Sequence, residues 1–413
     1  LLLKNLTHFQ AKKNFILGFS TVAMTFQALL ASPFLLYQLF ILACLLVFFG
    51  ILLFNLVDVK LMPRGVPSAT PFVSVLVPAR NEARSIEACV RSLCTQSYPN
   101  FEVIVLNDHS TDQTGEILSG LQSEFPMLRV VSGKALPPGW VGKCWACFQL
   151  SKYAKGEFLL FTDADTIHSA DTLQRAVLSL ERTRADMLSL VPFQTLGSFW
   201  EQVIVPLVHF LIMCFLPMRM IWKSRNTAFS FANGQFILFR RTMYEQIGGH
   251  EAVKSNIVED VWLVKATKRA GGKVIVMNGV DAVRCRMYHN LSEAFRGFSK
   301  NLFAGLGYNA FAMLTVCAVM FLCFVLPFYF VLVSFFSGAM LLETFWLPLM
   351  QISSAILMRV LIALKFRLNL LYALLHGLSI VMFIAIALNS MRWIYFGGGA
   401  EWKGRRYDFS KAL

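Results

Sequence analysis

Two carboxylates stand one residue apart in Asp163-Ala164-Asp165, directly after the apolar run Phe158-Leu159-Leu160-Phe161. Such a run reads as a buried strand, and in an open α/β sheet ligands gather at the carboxyl ends of strands. Paired acids there form a hard, anionic oxygen site suited to Mg²⁺ or Mn²⁺. A divalent ion so held can grip a diphosphate and neutralise its charge as it leaves, which is the chemistry of a nucleotide-dependent transferase. Three further polar groups come after apolar runs or open a helix: Pro78-Ala79-Arg80-Asn81-Glu82, Asn107-Asp108-His109-Ser110 and Glu259-Asp260. Each alone reads as a turn or cap, because acids are ordinary partners of a helix N-terminus. All four in this order along one α/β region point to a site. His109, His250 and His289 lack metal-ligand spacing and read as plain polar residues.

The elements that must position these groups alternate strand and helix. Phe72–Val77 reads as a buried strand closed by Pro78, Ala83–Leu93 as an amphipathic helix, and Phe101–Leu106 as a second strand. Ser110 and Asp112 suit the cap of a helix over Gln113–Phe125, and a short strand surrounds Arg129–Val131. After the turn Leu136-Pro137-Pro138-Gly139 comes a helix near Trp145–Lys155, then the strand ending at Asp163. Asp186–Val191 and Gln235–Phe239 read as later strands, and Glu259–Arg269 as a helix stopped by Gly271-Gly272. Cys144-Trp145-Ala146-Cys147 has redox spacing but no second pair to complete a zinc site, so small residues at a helix start are the plainer reading.

Of the 413 residues, 56% are hydrophobic and 38 are Phe, against roughly 45–50% apolar in a soluble domain. The excess lies at the ends. Phe34–Val57 carries no charge and is long enough to cross a bilayer. Three apolar blocks come later: Phe311–Phe336, Phe345–Leu364, which contains Gln351 and Arg359 and is the weaker span, and Leu368–Asn389. Phe15–Ala31, behind Lys12 and Lys13, suits a signal peptide, but Pro33 and the run after it favour a first span or a membrane-lying helix. The chain begins on Leu, and its start is expected upstream. Residues 1–61 are thus an N-terminal membrane region, 62–310 an α/β domain, 311–392 a C-terminal transmembrane region and 393–413 a basic tail. Phe199–Trp222 is apolar but interrupted by Pro206, His209 and Pro217, so one or two helices lying in the interface are expected there, anchored by Trp200, Trp222, Arg219 and Lys223. A core helix pair is the alternative, and a second interfacial helix is expected near 290–305.

The net charge of +14 raises nucleic acid as a partner, but no basic stripe with interleaved aromatics is present. Positive-inside bias and anionic headgroups account for it better. Met218–Arg225, Arg284–Lys300 and Trp402–Lys411 then mark the cytoplasmic face. Three full crossings after the α/β domain would put the tail outside, against that bias; a re-entrant or interfacial Phe345–Leu364 would return it. Asn5-Leu6-Thr7 and Asn290-Leu291-Ser292 match a short sequon that arises often by chance.

The α/β region resembles the inverting family 2 glycosyltransferases of the GT-A fold. The similarity rests on Val73-Ser74-Val75-Leu76-Val77-Pro78-Ala79-Arg80-Asn81-Glu82 and Asn107-Asp108-His109-Ser110-Thr111-Asp112. Four further segments resemble a narrower membrane group associated with carotenoid and hopanoid pathways. They are Leu136–Lys143, Val258-Glu259-Asp260-Val261, Arg286-Met287-Tyr288 and Trp402-Lys403-Gly404-Arg405. The resemblance implies a Rossmann-like mixed sheet with helices on both faces and transmembrane helices at both ends.

It also implies roles. Pro78, Arg80, Glu82 and Asp108 would bind the nucleotide, Lys143 the diphosphate, and Asp163, Ala164 and Asp165 ribose and metal, with Asp165 the direct ligand. Asp260 would be the general base, supported by Glu259. Trp140, Arg286, Tyr288, Trp402 and Arg405 would meet the acceptor or the interface. The reading is a sugar transfer, with inversion, from a UDP-type donor to a lipid acceptor, by an integral protein of the bacterial inner membrane whose catalytic domain is cytoplasmic. Processive synthases of this fold carry Gln/Arg-x-x-Arg-Trp on an interface helix; here the pair is Arg392-Trp393, beyond the last apolar block and preceded by Asn389. A single transfer is the simpler expectation. The rivals are a polysaccharide synthase and, from another class, a non-catalytic transporter or lipid-binding scaffold.

Overall fold

The computed structural model describes residues 32–396 and the strands Ala400–Trp402 and Arg405–Tyr407. Phe15–Ala31 and Asn5-Leu6-Thr7 lie outside the described residues. First comes α1 (Pro33–Asp58), capped by Ser32, whose hydroxyl accepts the Leu35 N–H. The α/β part then alternates β1 (Val73–Ala79), α2 (Ile86–Cys94), β2 (Phe101–Asn107), α3 (Thr114–Glu124), β3 (Leu128–Ser132), α4 (Gly142–Tyr153) and β4 (Phe158–Thr162). It continues with β5 (Thr166–His168), α5 (Thr172–Thr183), β6 (Met187–Gln194) and three short helices, α6 (Phe199–Ile204), α7 (Pro206–Phe215) and α8 (Arg219–Lys223). Next are β7 (Phe236–Arg240), α9 (Arg241–Gln246), α10 (Glu259–Arg269) and β8 (Val274–Cys285). The rest is helical: α11 (Leu291–Gly305), α12 (Ala310–Phe324), α13 (Leu326–Ser337), α14 (Leu347–Phe366) and α15 (His376–Tyr395), before the hairpin of β9 (Ala400–Trp402) and β10 (Arg405–Tyr407).

Eight strands form one mixed sheet in the order β3-β2-β1-β4-β7-β6-β8-β5. β3, β2, β1 and β4 are parallel, and β7 enters antiparallel between β4 and β6. Alternation along the strands feeds two cores. Val73, Val75, Val77, Val103 and Val105 pack under α2, α3 and α5. Leu76, Ile104, Leu106, Leu159 and Phe161 face the other way, into a core that runs on through α7 to Ile41, Leu45 and Leu52 of α1 and Met358 of α14. The expected α/β sheet with helices on both faces is present, and one of its cores is shared with the apolar helices.

That shared core corrects the reading of Phe199–Trp222. Pro206 and Pro217 break it into three helices, and Phe210, Met213 and Cys214 are buried rather than laid on a surface. Asn55 of α1 locks it there: its Nδ2 donates to the carbonyls of Met213 and Leu216 at 2.9 and 2.7 Å. Asn290, part of the sequon, serves as the N-cap of α11.

Four helical stretches are long and apolar enough to cross a bilayer: Pro33–Asp58, Ala310–Ser337, Leu342–Phe366 and Leu370–Tyr395. Their ends fall at two levels. At one, the Ser32 hydroxyl donates to Glu343 at 3.1 Å and Gln351 donates to the Gln38 side chain at 2.9 Å, so α1 and α14 start together. At the other, Lys365 Nζ donates to the Leu56 carbonyl at 2.8 Å, and Asn278 of β8 donates to the Lys365 carbonyl at 3.3 Å. The second level therefore belongs to the sheet domain. Residues 370–395 begin with Tyr372 against Phe199 at 5.8 Å and end at Arg392, Trp393 and Phe396 beside the cavity at the strand ends. His376, at the start of α15, packs 5.2 Å from Phe324 in the middle of Ala310–Ser337, so α15 rises from mid-depth to the cavity, and Leu371, Leu374, Val381 and Leu388 leave an exposed apolar stripe along the stretch. Leu347–Phe366 joins the two levels, from Gln351 beside Gln38 to Lys365 beside Leu56.

Candidate active site

Parallel pairing of β1, β2 and β4, with Ala79 opposite Asn107, brings the loops after these strands to one edge. The first two loops are knitted together. Asn81 and His109 both adopt positive φ, 53° and 54°, a conformation that short polar side chains tolerate. Asn81 Oδ1 accepts the Thr111 N–H at 2.8 Å, its own N–H donates to Ser110 Oγ at 3.0 Å, and Arg80 Nη1 donates to the Asp108 carbonyl at 2.7 Å. The N-cap of α3 is Gln113 rather than Asp112 or Ser110; Asp112, one position earlier, accepts the Thr114 N–H at 3.0 Å, while Ser110 is spent on the Asn81 loop.

These loops open on a cavity of about 1610 Å³. Pro78, Arg80, Glu82, Asp108, Lys143, Asp163, Ala164, Asp165, Glu259, Asp260, Arg286 and Tyr288 all line it, so twelve candidates separated by up to 210 positions share one cavity. At its centre, Lys143 Nζ on the first turn of α4 bridges Asp163 Oδ1 at 2.7 Å and Glu259 Oε1 at 2.9 Å. Burial works against the ammonium, but the two carboxylates outweigh it and hold its pKa well above the usual lysine value. Asp260 begins α10; its Oδ2 accepts the Gly234 N–H at 3.1 Å and its Oδ1 accepts its neighbour Val261 N–H at 2.8 Å. Burial first, and the adjacent Glu259 charge second, raise Asp260 from 3.8 to about 7, against the pull of Lys143 and the two backbone donors.

Asp165 backs onto Cys285 at the end of β8, and burial followed by the Asp165 charge pushes that thiol up. Two carboxylates so placed are the kind of donor set a hard cation takes when phosphate oxygens and water complete its shell. Among the described residues no three His, Cys, Asp or Glu side chains gather into a full protein cage. The pair therefore fits Mg²⁺ or Mn²⁺ held partly by a substrate.

Several site residues were not legible beforehand. Gly234 stands behind the charged cluster: a Cβ there would lie 2.9 Å from Lys143 Nζ, 3.5 Å from Glu259 Oε1 and 3.7 Å from Asp260 Oδ2. Glu201 lies fully buried in α6 and takes both Arg286 Nε and Nη2, at 3.1 and 3.2 Å. Burial alone would raise its carboxyl; bonds from Arg286, Ser198 and Gly197 bring it down to about 2. Arg392 and Trp393 also line the cavity, within the last apolar helix rather than beyond it, so their position no longer separates them from the site. Only the Asn389 departure stands.

Other expectations fall elsewhere. Trp140 is not among the cavity-lining residues; its ring lies 5.0 Å from Trp145 and 5.1 Å from Phe148, beside Val141 and Ile257. Trp402 pairs with Arg405 across the β9–β10 hairpin, and their side chains lie outside the described residues. His250 is buried with Nδ1 2.9 Å from Tyr244 Oη, and burial lowers it to about 3; His289 lines the cavity. Cys144 and Cys147 are buried free thiols.

Residues 74–248 match the model of Glycosyl transferase family 2. The chain is 25% identical over 351 residues to a 4,4'-diaponeurosporenoate glycosyltransferase of Staphylococcus haemolyticus, covering 82% of this chain and 89% of that protein. It is equally 25% identical, over 355 residues, to the protein of that name from Staphylococcus aureus strain USA300, with the same coverage. The structure of the mannosyltransferase PcManGT from Pyrobaculum calidifontis, in complex with GDP-Man and Mn²⁺, aligns with a TM-score of 0.52 at 18% identity, over 87% of this chain and 99% of that one. The sheet is that of the GT-A glycosyltransferases, and its loop-bearing edge lies within or beside the matched segment. Residues 74–248 are a glycosyl transferase family 2 domain, and the protein is a glycosyltransferase.

Proposed function

We propose that this glycosyltransferase moves a sugar, with inversion, from a UDP-type nucleotide sugar to an oxygen of a lipid acceptor. The observation that carries it is the Asp260 carboxylate, set beside the Lys143–Asp163–Glu259 cluster in a cavity that Arg392 and Trp393 at the end of the apolar helix α15 also line. The acceptor O–H would lose its proton to Asp260 as its oxygen bonds to the anomeric carbon. The bond from that carbon to the diphosphate breaks in the same displacement, and the nucleoside diphosphate leaves. A base near pH 7 suits this proton, because the O–H turns acidic only as it attacks.

Arg80, Glu82 and Asp108 would hold base and ribose, and Lys143 the diphosphate as a point charge. Asp163 and Asp165 would hold Mg²⁺ or Mn²⁺, which when bound neutralises the departing diphosphate. The relatives' printed acceptor and the Mn²⁺ of the archaeal neighbour support these two choices. The lipid would lie at the bilayer surface, with the sheet domain and the 393–413 tail both on the cytoplasmic face of a bacterial inner membrane. That placement rests on α14 ending beside the sheet domain and α15 ending at the cavity, and it agrees with the positive-inside expectation.

Asp260→Asn tests the assignment. Nucleotide binding is expected to persist while transfer falls by about 10²–10⁴-fold, the usual share of a general base. Turnover at the wild-type rate would remove Asp260 from the role. A processive synthase remains the second reading, because Arg392-Trp393 does reach the cavity. Product length decides it: one-sugar lipids support the proposal, and long chains support the rival.

A further inference from the structure

The cavity is electrically divided. Its strand-end wall carries seven acids, among them Asp163, Asp165, Glu259 and Asp260, against Arg80, Arg84 and Lys143, whereas the wall made by the end of β8, α11 and α15 presents Arg284, Arg286, Arg296, Lys300 and Arg392 against the single acid Glu293. One of these cations is built in with unusual care. Arg286 gives Nε and Nη2 to Glu201, which is fully buried and also accepts the N–H groups of Gly197 at 3.0 Å and Ser198 at 2.8 Å. Ser198 closes the arrangement as the N-cap of α6, its hydroxyl accepting the Glu201 N–H. The guanidinium lies flat on Gly197, where any Cβ would overlap it, with Cζ only 2.8 Å from the Cβ position.

A salt bridge made only for stability would gain little here. The pair is lopsided, Glu201 fully buried and the Arg286 side chain 39% exposed, and such half-open pairs contribute modestly. What the arrangement does is fix the plane and direction of the fork. Nη1 makes no hydrogen bond to any described residue, and the residue lines the cavity. An immobilised guanidinium with one free N–H edge matches an anionic oxygen.

Resting on the glycosyltransferase reading, we propose that Arg286 reads an acidic head group, carboxylate or phosphate, on the lipid acceptor, and that Glu201 and Gly197 are the positioning residues that aim it. The donor diphosphate is the other anion able to reach this cavity, so the test separates the two.

The full-length protein in neutral detergent is titrated with oleate, oleyl phosphate and oleyl alcohol, and separately with UDP and Mn²⁺, by microscale thermophoresis. Wild type is expected to bind at least one acid more tightly than the alcohol by about tenfold to a hundredfold, the worth of one charged hydrogen bond. Which acid shows the preference identifies the head group. Arg286→Met should erase that preference. Gly197→Ala and Glu201→Gln should reduce it although the arginine remains, and UDP affinity should stay within about twofold, as for an independent contact. Should the buried Glu201→Gln fail to fold, Gly197→Ala and Arg286→Met carry the decision. Equal binding of acids and alcohol by wild type, or an undiminished preference in Arg286→Met or Gly197→Ala, overturns the proposal. So does a loss of UDP affinity in Arg286→Met with lipid binding intact, which would assign the arginine to the diphosphate. Intact UDP binding throughout leaves the glycosyltransferase reading standing whichever way the lipid arm falls.

Discussion

A base at about pH 7 predicts a pH–rate profile that an ordinary carboxylate cannot give. With Asp260 raised from 3.8 to about 7, about a tenth of the enzyme holds an ionised base at pH 6 and about nine-tenths at pH 8, so kcat/KM should rise about tenfold between them. A carboxylate at 3.8 would be ionised at both, and the profile would be flat. The neighbours then set the direction of further shifts. Lys143 Nζ and Asp260 Oδ2 lie 2.9 and 3.7 Å from one common point, the Cβ position of Gly234, so they are no more than about 6.6 Å apart. At an effective dielectric of about 20 that attraction is on the order of 2.5 kcal/mol, or roughly two pH units. Lys143→Met should therefore move the acid limb upward. Glu259→Gln removes a like charge at a similar distance and should move it downward by about as much. Release of nucleoside diphosphate at saturating donor, measured from pH 5 to 9, reports the position of the limb even if Lys143→Met lowers its height. A flat wild-type profile, or two variants shifting the same way, would refute the base assignment and the electrostatics behind it.

The same geometry sets other outcomes. Asp163→Ala with Asp165→Ala should abolish the Mn²⁺-dependent part of UDP binding, measured calorimetrically with and without chelator, while leaving the fold intact by circular dichroism. Arg175 is 2% exposed and holds Asp281 at 2.9 Å and the Met62 carbonyl at 3.0 Å; Arg175→Met should destabilise by about 3 kcal/mol or more, read as a lower thermal midpoint. Phe396→Cys and Ser337→Cys stand at opposite levels, and eight of the nine native thiols are buried. In sealed inner-membrane vesicles of known orientation, an impermeant maleimide should label Phe396→Cys from the side of the sheet domain and Ser337→Cys from the other.

The parts of the site that were readable from sequence are those whose physics is local. Phe101–Asn107 and Phe158–Thr162 are apolar runs that end in polar residues, and parallel pairing then delivers the loop after each strand to a common edge. Glu259–Arg269 showed its acids at one end and its glycines at the other, and the helix has those bounds. The features that escaped depend on partners distant in the chain. Gly234 has no local signature, and its importance appears only once Lys143 and Asp260 converge on it. Glu201 looked like an isolated acid in an apolar stretch until Arg286 arrived from 85 positions away. β8 runs 12 residues across Gly279 and a register shift at Pro192/Phe193, so neither its length nor its pairing is visible in its own alternation. The course of residues 370–395 was hidden for a related reason: length and apolarity are the same for a helix that joins the two levels and one that starts between them.

That last helix changes what the enzyme must do with a greasy substrate. Carrying an acyl-type chain through water into a closed pocket would mean exposing it at about 0.8 kcal/mol per CH₂, or roughly 16 kcal/mol for twenty carbons. The end of α15 contributes Arg392 and Trp393 to the cavity wall, and Leu371, Leu374, Val381 and Leu388 are exposed along the same stretch, so under the proposed function that side of the cavity would border hydrocarbon. A lipid can then slide in edgewise from the near leaflet, its tail never leaving oil, and present only its head to the charged floor. Under the proposed function, desorption of the lipid from the bilayer would then not be a step of the reaction.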